Sequence, residues 1–144
     1  MTVHRSVLFV DFDNVYSGLV SIDPAAAAAF ATDPSTWVDW LAAGSDQDGA
    51  FERRFLMRNC YLNPVEHSKF RVFFTRAGFR VVDCPPLTNQ GKNSADIHMV
   101  LDVVDAMAHP AEYDEFVIAS ADVGCLGSPG GCEHDQSGQE GASK

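Results

Sequence analysis

Apolar residues fall along this chain in short blocks whose period switches between that of a strand and that of a helix. Val7-Leu8-Phe9-Val10 is unbroken by anything polar until Asp11, the pattern of a strand buried on both faces that ends in two acids and an amide, Asp11, Asp13 and Asn14. Arg54 to Leu62 predicts a second strand, closed by Asn63-Pro64, and Phe79 to Val82 a third, broken by Asp83-Cys84-Pro85-Pro86. Glu115 to Ser120 predicts a fourth, with Asp122 just past its end.

Helical signals lie between these strands. Val15 to Leu19 can begin a helix, and Asp23-Pro24 opens another over Ala25 to Phe30. Asp33-Pro34-Ser35 precedes Trp37, Val38, Trp40 and Leu41, whose spacing suits one buried face before Gly44 ends the helix. The tryptophans read as core or interface anchors. Gly44 to Gly49 reads as an acidic, mobile loop. Phe70, Phe73 and Phe74 mark a helix over Val65 to Ala77, stopped by Gly78. After a polar loop, Leu87 to Lys92, the strongest helical pattern follows: Ile97, Val100, Leu101, Val104 and Ala108 predict a buried stripe, ended by Pro110. Strands separated by helices imply right-handed βαβ crossovers. The expected fold is therefore α/β, a mostly parallel sheet of about four strands flanked by helices. From Gly124 onward almost nothing is apolar, which predicts a domain over residues 1–123 and a Gly-rich disordered tail over 124–144.

Composition narrows the function. With 46% hydrophobic residues in 144 the chain can build one core, and its net charge of -10 argues against a broadly basic nucleic-acid platform. Its basic residues are uneven: Arg53, Arg54, Arg58, Lys69, Arg71, Arg76, Arg80 and Lys92 cluster in the middle, while the first fifty residues hold only Arg5. Cys60, Cys84, Cys125 and Cys132 form no C-x-x-C pair and suit reduced thiols rather than zinc ligands. No basic-then-apolar leader and no apolar run of membrane-spanning length occurs, so a cytoplasmic protein without membrane partners is expected.

Asp11 and Asp122 end different strands, and Asp96 opens the long helix, whose start must lie at the same sheet edge. All three can converge. Gathered carboxylates repel unless a cation neutralises them, and oxygen ligands suit Mg²⁺ or Mn²⁺, which can activate water and stabilise a phosphodiester's charge. The alternative for Asp96 is a capping box led by Asn93. Asn14 can orient the first carboxylate or cap a helix, and Lys92 can meet a phosphate or simply be solvated. Asp102 shares a polar stripe with His98, Asp105 and His109 and is expected to be solvated, whereas His67 has no evident partner.

Val10-Asp11-Phe12-Asp13-Asn14-Val15-Tyr16, Lys92-Asn93-Ser94-Ala95-Asp96-Ile97 with Asp102, and Phe116-Val117-Ile118-Ala119-Ser120-Ala121-Asp122 together resemble the blocks of an NYN domain, over roughly residues 5 to 122. The resemblance implies a PIN-like, Rossmann-like fold with an acidic metal cluster acting on RNA. It implies metal-binding roles for Asp11, Asp96 and Asp122, with Asn14 in support. The family usually continues Ser-x-Asp-x-Asp-Phe where this chain has Ser120-Ala121-Asp122-Val123-Gly124-Cys125, and a further helix and strand are expected by resemblance. A truncated or altered C-terminus follows, and with it an exposed sheet edge through which copies would associate.

Three functions stay open on the sequence. The first is a divalent-metal-dependent ribonuclease. The second is a haloacid-dehalogenase-like phosphatase, because Asp11-Phe12-Asp13-Asn14-Val15 also fits that family's Asp-x-Asp-x-Val start, with Asp11 as nucleophile and Asp13 as acid/base. The third is an RNA-binding or interaction module that keeps the fold without a complete metal site.

Overall fold

A computed structural model describes residues 1–86 and 94–120. The element order is β1 (Thr2–Asp11), α1 (Phe12–Ile22), α2 (Pro24–Thr32), α3 (Pro34–Ala42), β2 (Ala43–Asp46) and β3 (Gly49–Leu62). It continues with α4 (Pro64–His67), a single 3-10 turn (Ser68–Phe70), α5 (Arg71–Arg76), β4 (Arg80–Asp83), α6 (Ala95–Met107) and β5 (Glu115–Ala119). The predicted tail over 124–144, the loop containing Lys92, and Asp122, Cys125 and Cys132 lie outside the described residues.

β1 is central, paired in parallel with β3 on one side and β5 on the other. Its continuous apolar block explains this place, since Val7, Leu8, Phe9 and Val10 are all fully buried. β3 is long enough to serve two partners. Its C-terminal end pairs in parallel with β4, completing the predicted parallel sheet, while its N-terminal end pairs antiparallel with β2.

That hairpin replaces the loop expected over Gly44 to Gly49. No apolar pattern marks β2, because it pairs through backbone alone: Gly44 sits opposite Phe51, whose ring would stand 2.5 Å from an added Cβ. The ring takes the space a side chain would need, and Gly49 turns the chain with a φ of +110°. The helix expected over Val65 to Ala77 is likewise broken into α4, the 3-10 turn and α5.

Helices cover both faces of the sheet. On one, Leu8, Val10, Cys60 and Leu62 meet Phe12, Phe30, Val38, Phe70 and Phe74 of the helices between β1 and β4. On the other, Val7, Phe9, Tyr61 and Cys84 pack against Ala95, Met99, Val103 and Ala106 of α6. The stripe predicted to be buried on α6 is therefore the wrong one. Ile97 is 56% exposed and Leu101 58%, with Val100, Val104 and Met107 exposed beside them. Small residues, Ala95 and Ala106, let the helix lie close on the sheet, and the bulky residues face outward.

Candidate functional site

β1 ends at Asp11, and α1 begins at once at Phe12, so Asp11 rather than Asp13 or Asn14 is the N-cap. Its carboxylate accepts from the Asn14 backbone N–H at 3.5 Å and from the Asn14 side-chain amide at 2.7 Å. Asn14 thus orients the first carboxylate, one of the two roles its position suggested. A capping carboxylate also sits at the positive end of the helix dipole.

Asp11 is only 1% exposed, which is costly for a charge. Burial pushes its pKa up to about 6; the nearby charges of Asp96 and Asp13 add to the rise, while the two Asn14 hydrogen bonds oppose it. Asp96 lies in the first turn of α6, after Ser94 at the N-cap position, whose side chain makes no capping bond; Asp96 is exposed and its charge is within reach of Asp11. Two of the three predicted acids are therefore brought to one rim, at the C-terminal ends of the central strands. Asp122 and Lys92, the other predicted site residues, and Asn93, the alternative cap, fall outside the described residues.

Asp13 faces a different neighbour. Both of its carboxylate oxygens accept from the Asn63 backbone N–H, at 3.3 and 3.2 Å, which ties the end of β1 to the end of β3. Asn63 in turn caps α4 through the Val65 N–H. His67, for which the sequence showed no partner, has Nε2 3.4 Å from Asp13 Oδ1 and packs among Phe12, Tyr16 and Phe70. The available signal was Asn63-Pro64 at a strand end, a helix start that places His67 one turn on.

Below the rim, Cys60 and Cys84 are free and buried. Burial raises both thiols, Cys84 to about 11 and Cys60 well above its usual range, with the Asp11 and Asp13 charges adding to it. They stay protonated at neutral pH and are poor metal ligands. The oxygens of Asp11 and Asp96 are the chemically suitable donors for a hard divalent cation, which would relieve the repulsion between them. Among the described residues no group of three His, Cys, Asp or Glu side chains is arranged to hold a metal ion.

Asp102 is only partly solvated, where its polar stripe suggested full exposure. Its Oδ2 accepts the Tyr61 hydroxyl at 2.6 Å, and that hydroxyl accepts from the Asn59 side-chain amide at 3.1 Å. Burial, then the Asp102 carboxylate, drives the Tyr61 pKa strongly upward, so the phenol remains a donor. Asp102 thereby pins α6 to β3, and Arg80 lies 4.0 Å away. The central basic cluster is also partly consumed by structure: Arg53 pairs with Glu115 at 2.6 Å, Arg71 pairs with Asp83, and Arg58 donates to the Ala77 carbonyl.

A family model described as NYN domain matches residues 5–126, most of the chain. No curated protein and no solved structure matches in the corresponding comparisons. The match extends beyond β5, and it covers both described acids of the rim. The chain belongs to the NYN-domain family, whose members are nuclease-like.

Proposed function

We propose, from the premise of NYN-domain membership, that this protein is a divalent-metal-dependent ribonuclease hydrolysing RNA phosphodiesters. One observation carries the reading: a carboxylate at the end of the central strand is buried, capped and oriented, yet faces the charge of a second acid from a distant helix. Such an arrangement is unfavourable by itself and becomes favourable with a cation between the oxygens. Asp11 and Asp96 would hold Mg²⁺ or Mn²⁺, with Asp122 as the third acid. When bound, the metal supplies charge stabilisation at a phosphodiester and a more acidic water. Asn14 keeps the Asp11 carboxylate in one rotamer, a positioning role.

The phosphatase reading asks Asp13 to hold and release a proton at the reacting phosphate. Here both Asp13 oxygens face the Asn63 amide, and His67 stands beside one of them. That favours the nuclease. The test is cleavage of a labelled single-stranded RNA with and without Mn²⁺, using Asp96→Asn as control. Metal-dependent cleavage lost in Asp96→Asn is expected, whereas cleavage indifferent to both metal and Asp96 would overturn the assignment. Calorimetry with Mn²⁺ on the wild type and Asp11→Asn separates the non-catalytic module, for which both heats would be negligible.

A further inference from the structure

The outward face of α6 is apolar. Opposite the buried line Ala95, Met99, Val103 and Ala106 runs a second line, Ile97, Leu101 and Val104, flanked by Val100 and Met107. These side chains are between 44% and 69% exposed, which is unusual for five bulky apolar residues on one 13-residue helix. The helix carries no Lys or Arg, and its last turn has no basic residue.

We propose that this face is a homodimer interface in which two copies of α6 pack antiparallel about a two-fold axis near Leu101. The arrangement of the helix itself selects a second copy. In a two-fold antiparallel pair, each flank of one helix meets the same flank of the other with its direction reversed. Ile97 and Val104 lie on either side of Leu101, so Ile97 of one copy falls against Val104 of the other and Leu101 meets Leu101. His98 and Asp105 stand seven residues apart, about two turns at ~3.6 residues per turn, hence one above the other on a single flank. Reversal sets His98 of each copy opposite Asp105 of its partner, giving two symmetric pairs at the two ends of the apolar line. Both residues are exposed.

Residues 121–144 are a poorer match. They contain only Val123 and Leu126 as branched aliphatic side chains, set among Gly, Ser and acids. Among the described residues β5 is an edge strand and so a second route to association, but it is five residues long and offers few ladder bonds. A contact made by one helix from each copy falls below the ~1,200 Å² of total buried area found in stable complexes, so a reversible dimer in the micromolar range is expected.

Sedimentation equilibrium of the full chain from low to high micromolar concentration, with far-UV circular dichroism on each variant, tests this. A monomer–dimer equilibrium is expected. Leu101→Glu should leave the fold intact and abolish the dimer, and His98→Glu should weaken it about tenfold by setting like charges against Asp105. The double variant His98→Glu with Asp105→Lys sets opposite charges across the same contact and should recover the dimer. A wild type that stays monomeric overturns the proposal, and a monomer destabilised by Leu101→Glu would assign the face to residues 121–144 instead. A dimer indifferent to Leu101→Glu, or one that the double variant does not recover, also overturns it.

Discussion

The two faces of the sheet are covered by different means. One lies beneath a cluster of rings in which Phe74 touches Phe12, Phe30, Trp37 and Phe79, supplied by several short helices. Among the described residues the other lies mainly beneath α6, which uses alanines to come close and a Tyr61–Asp102 hydrogen bond to hold its place. The first face turns its ring cluster inward, although Trp40 of α3, expected on a buried helical face, is 77% exposed. On the second, α6 turns Ile97, Leu101 and Val104 outward. Bulk at helical spacing therefore reports that a face is to be covered, but not which side of the helix the sheet is on.

Breaking the aromatic face should have the largest effect. Phe74→Ala removes a fully buried ring that four others touch, and a loss of ~3–5 kcal/mol in unfolding free energy is expected by urea titration. The same experiment on Val103→Ala, which takes less volume from the α6 side, should cost less than half as much. Equal losses would show that both faces depend on packed bulk to the same degree.

The rim where the faces meet should respond in the opposite direction. Asp11 has its pKa raised from 3.8 to about 6 in the folded protein, so the native state holds this proton more tightly than the unfolded chain does. The stability that this contributes is present below pH 3.8 and is lost as pH rises through 6. Above that, the ionised, unneutralised carboxylate disfavours the fold by about 3 kcal/mol, taking ~1.4 kcal/mol per pKa unit. Asp11→Asn keeps an equally good helix cap and removes the charge. Without metal it should melt higher than the wild type at pH 7.5, with the gain shrinking to nothing near pH 4. Adding Mn²⁺ should raise the wild-type melting temperature and leave Asp11→Asn unmoved.

Much of the fold was legible because β1 carries an uninterrupted apolar block and the parallel strands β3 and β4 end beside Asn63-Pro64 and Pro85-Pro86. Asp11 was legible for the same reason, as the first polar residue after a buried run. β2 was not, since Ala43–Asp46 has no pattern of its own and exists through Gly44 lying under Phe51. Nor were the partners of Asp102 and His67. Both depend on which residue of a distant segment arrives opposite, and no spacing within α6 or α4 records that Tyr61 or Asp13 will be there.

The polar anchor of the α6 face is open to a smaller test. Tyr61→Phe keeps the ring and deletes the hydroxyl that Asp102 accepts, also removing the acceptor for the Asn59 amide. Asp102 retains access to water and to Arg80, so a loss of ~1–2 kcal/mol is expected. Asp102→Asn in the Tyr61→Phe background should then add little, because the two groups act through one bond. Additive losses would mean that Asp102 holds α6 by some other contact.

The smallest effect is expected where the sequence pattern was strongest. If the Ile97 to Ala108 stripe were the sheet-facing one, Ile97→Gln would bury an amide among apolar side chains and cost several kcal/mol. With Ile97 56% exposed and Ala95, Met99, Val103 and Ala106 on the sheet, the substitution removes a side chain from water-facing surface. A change within ~0.5 kcal/mol is expected in urea titrations at low protein concentration, where association does not contribute. A loss as large as that of Val103→Ala would rotate α6 by half a turn and return its bulky face to the core. The same rotation would carry Asp102 away from Tyr61, so the two measurements must agree.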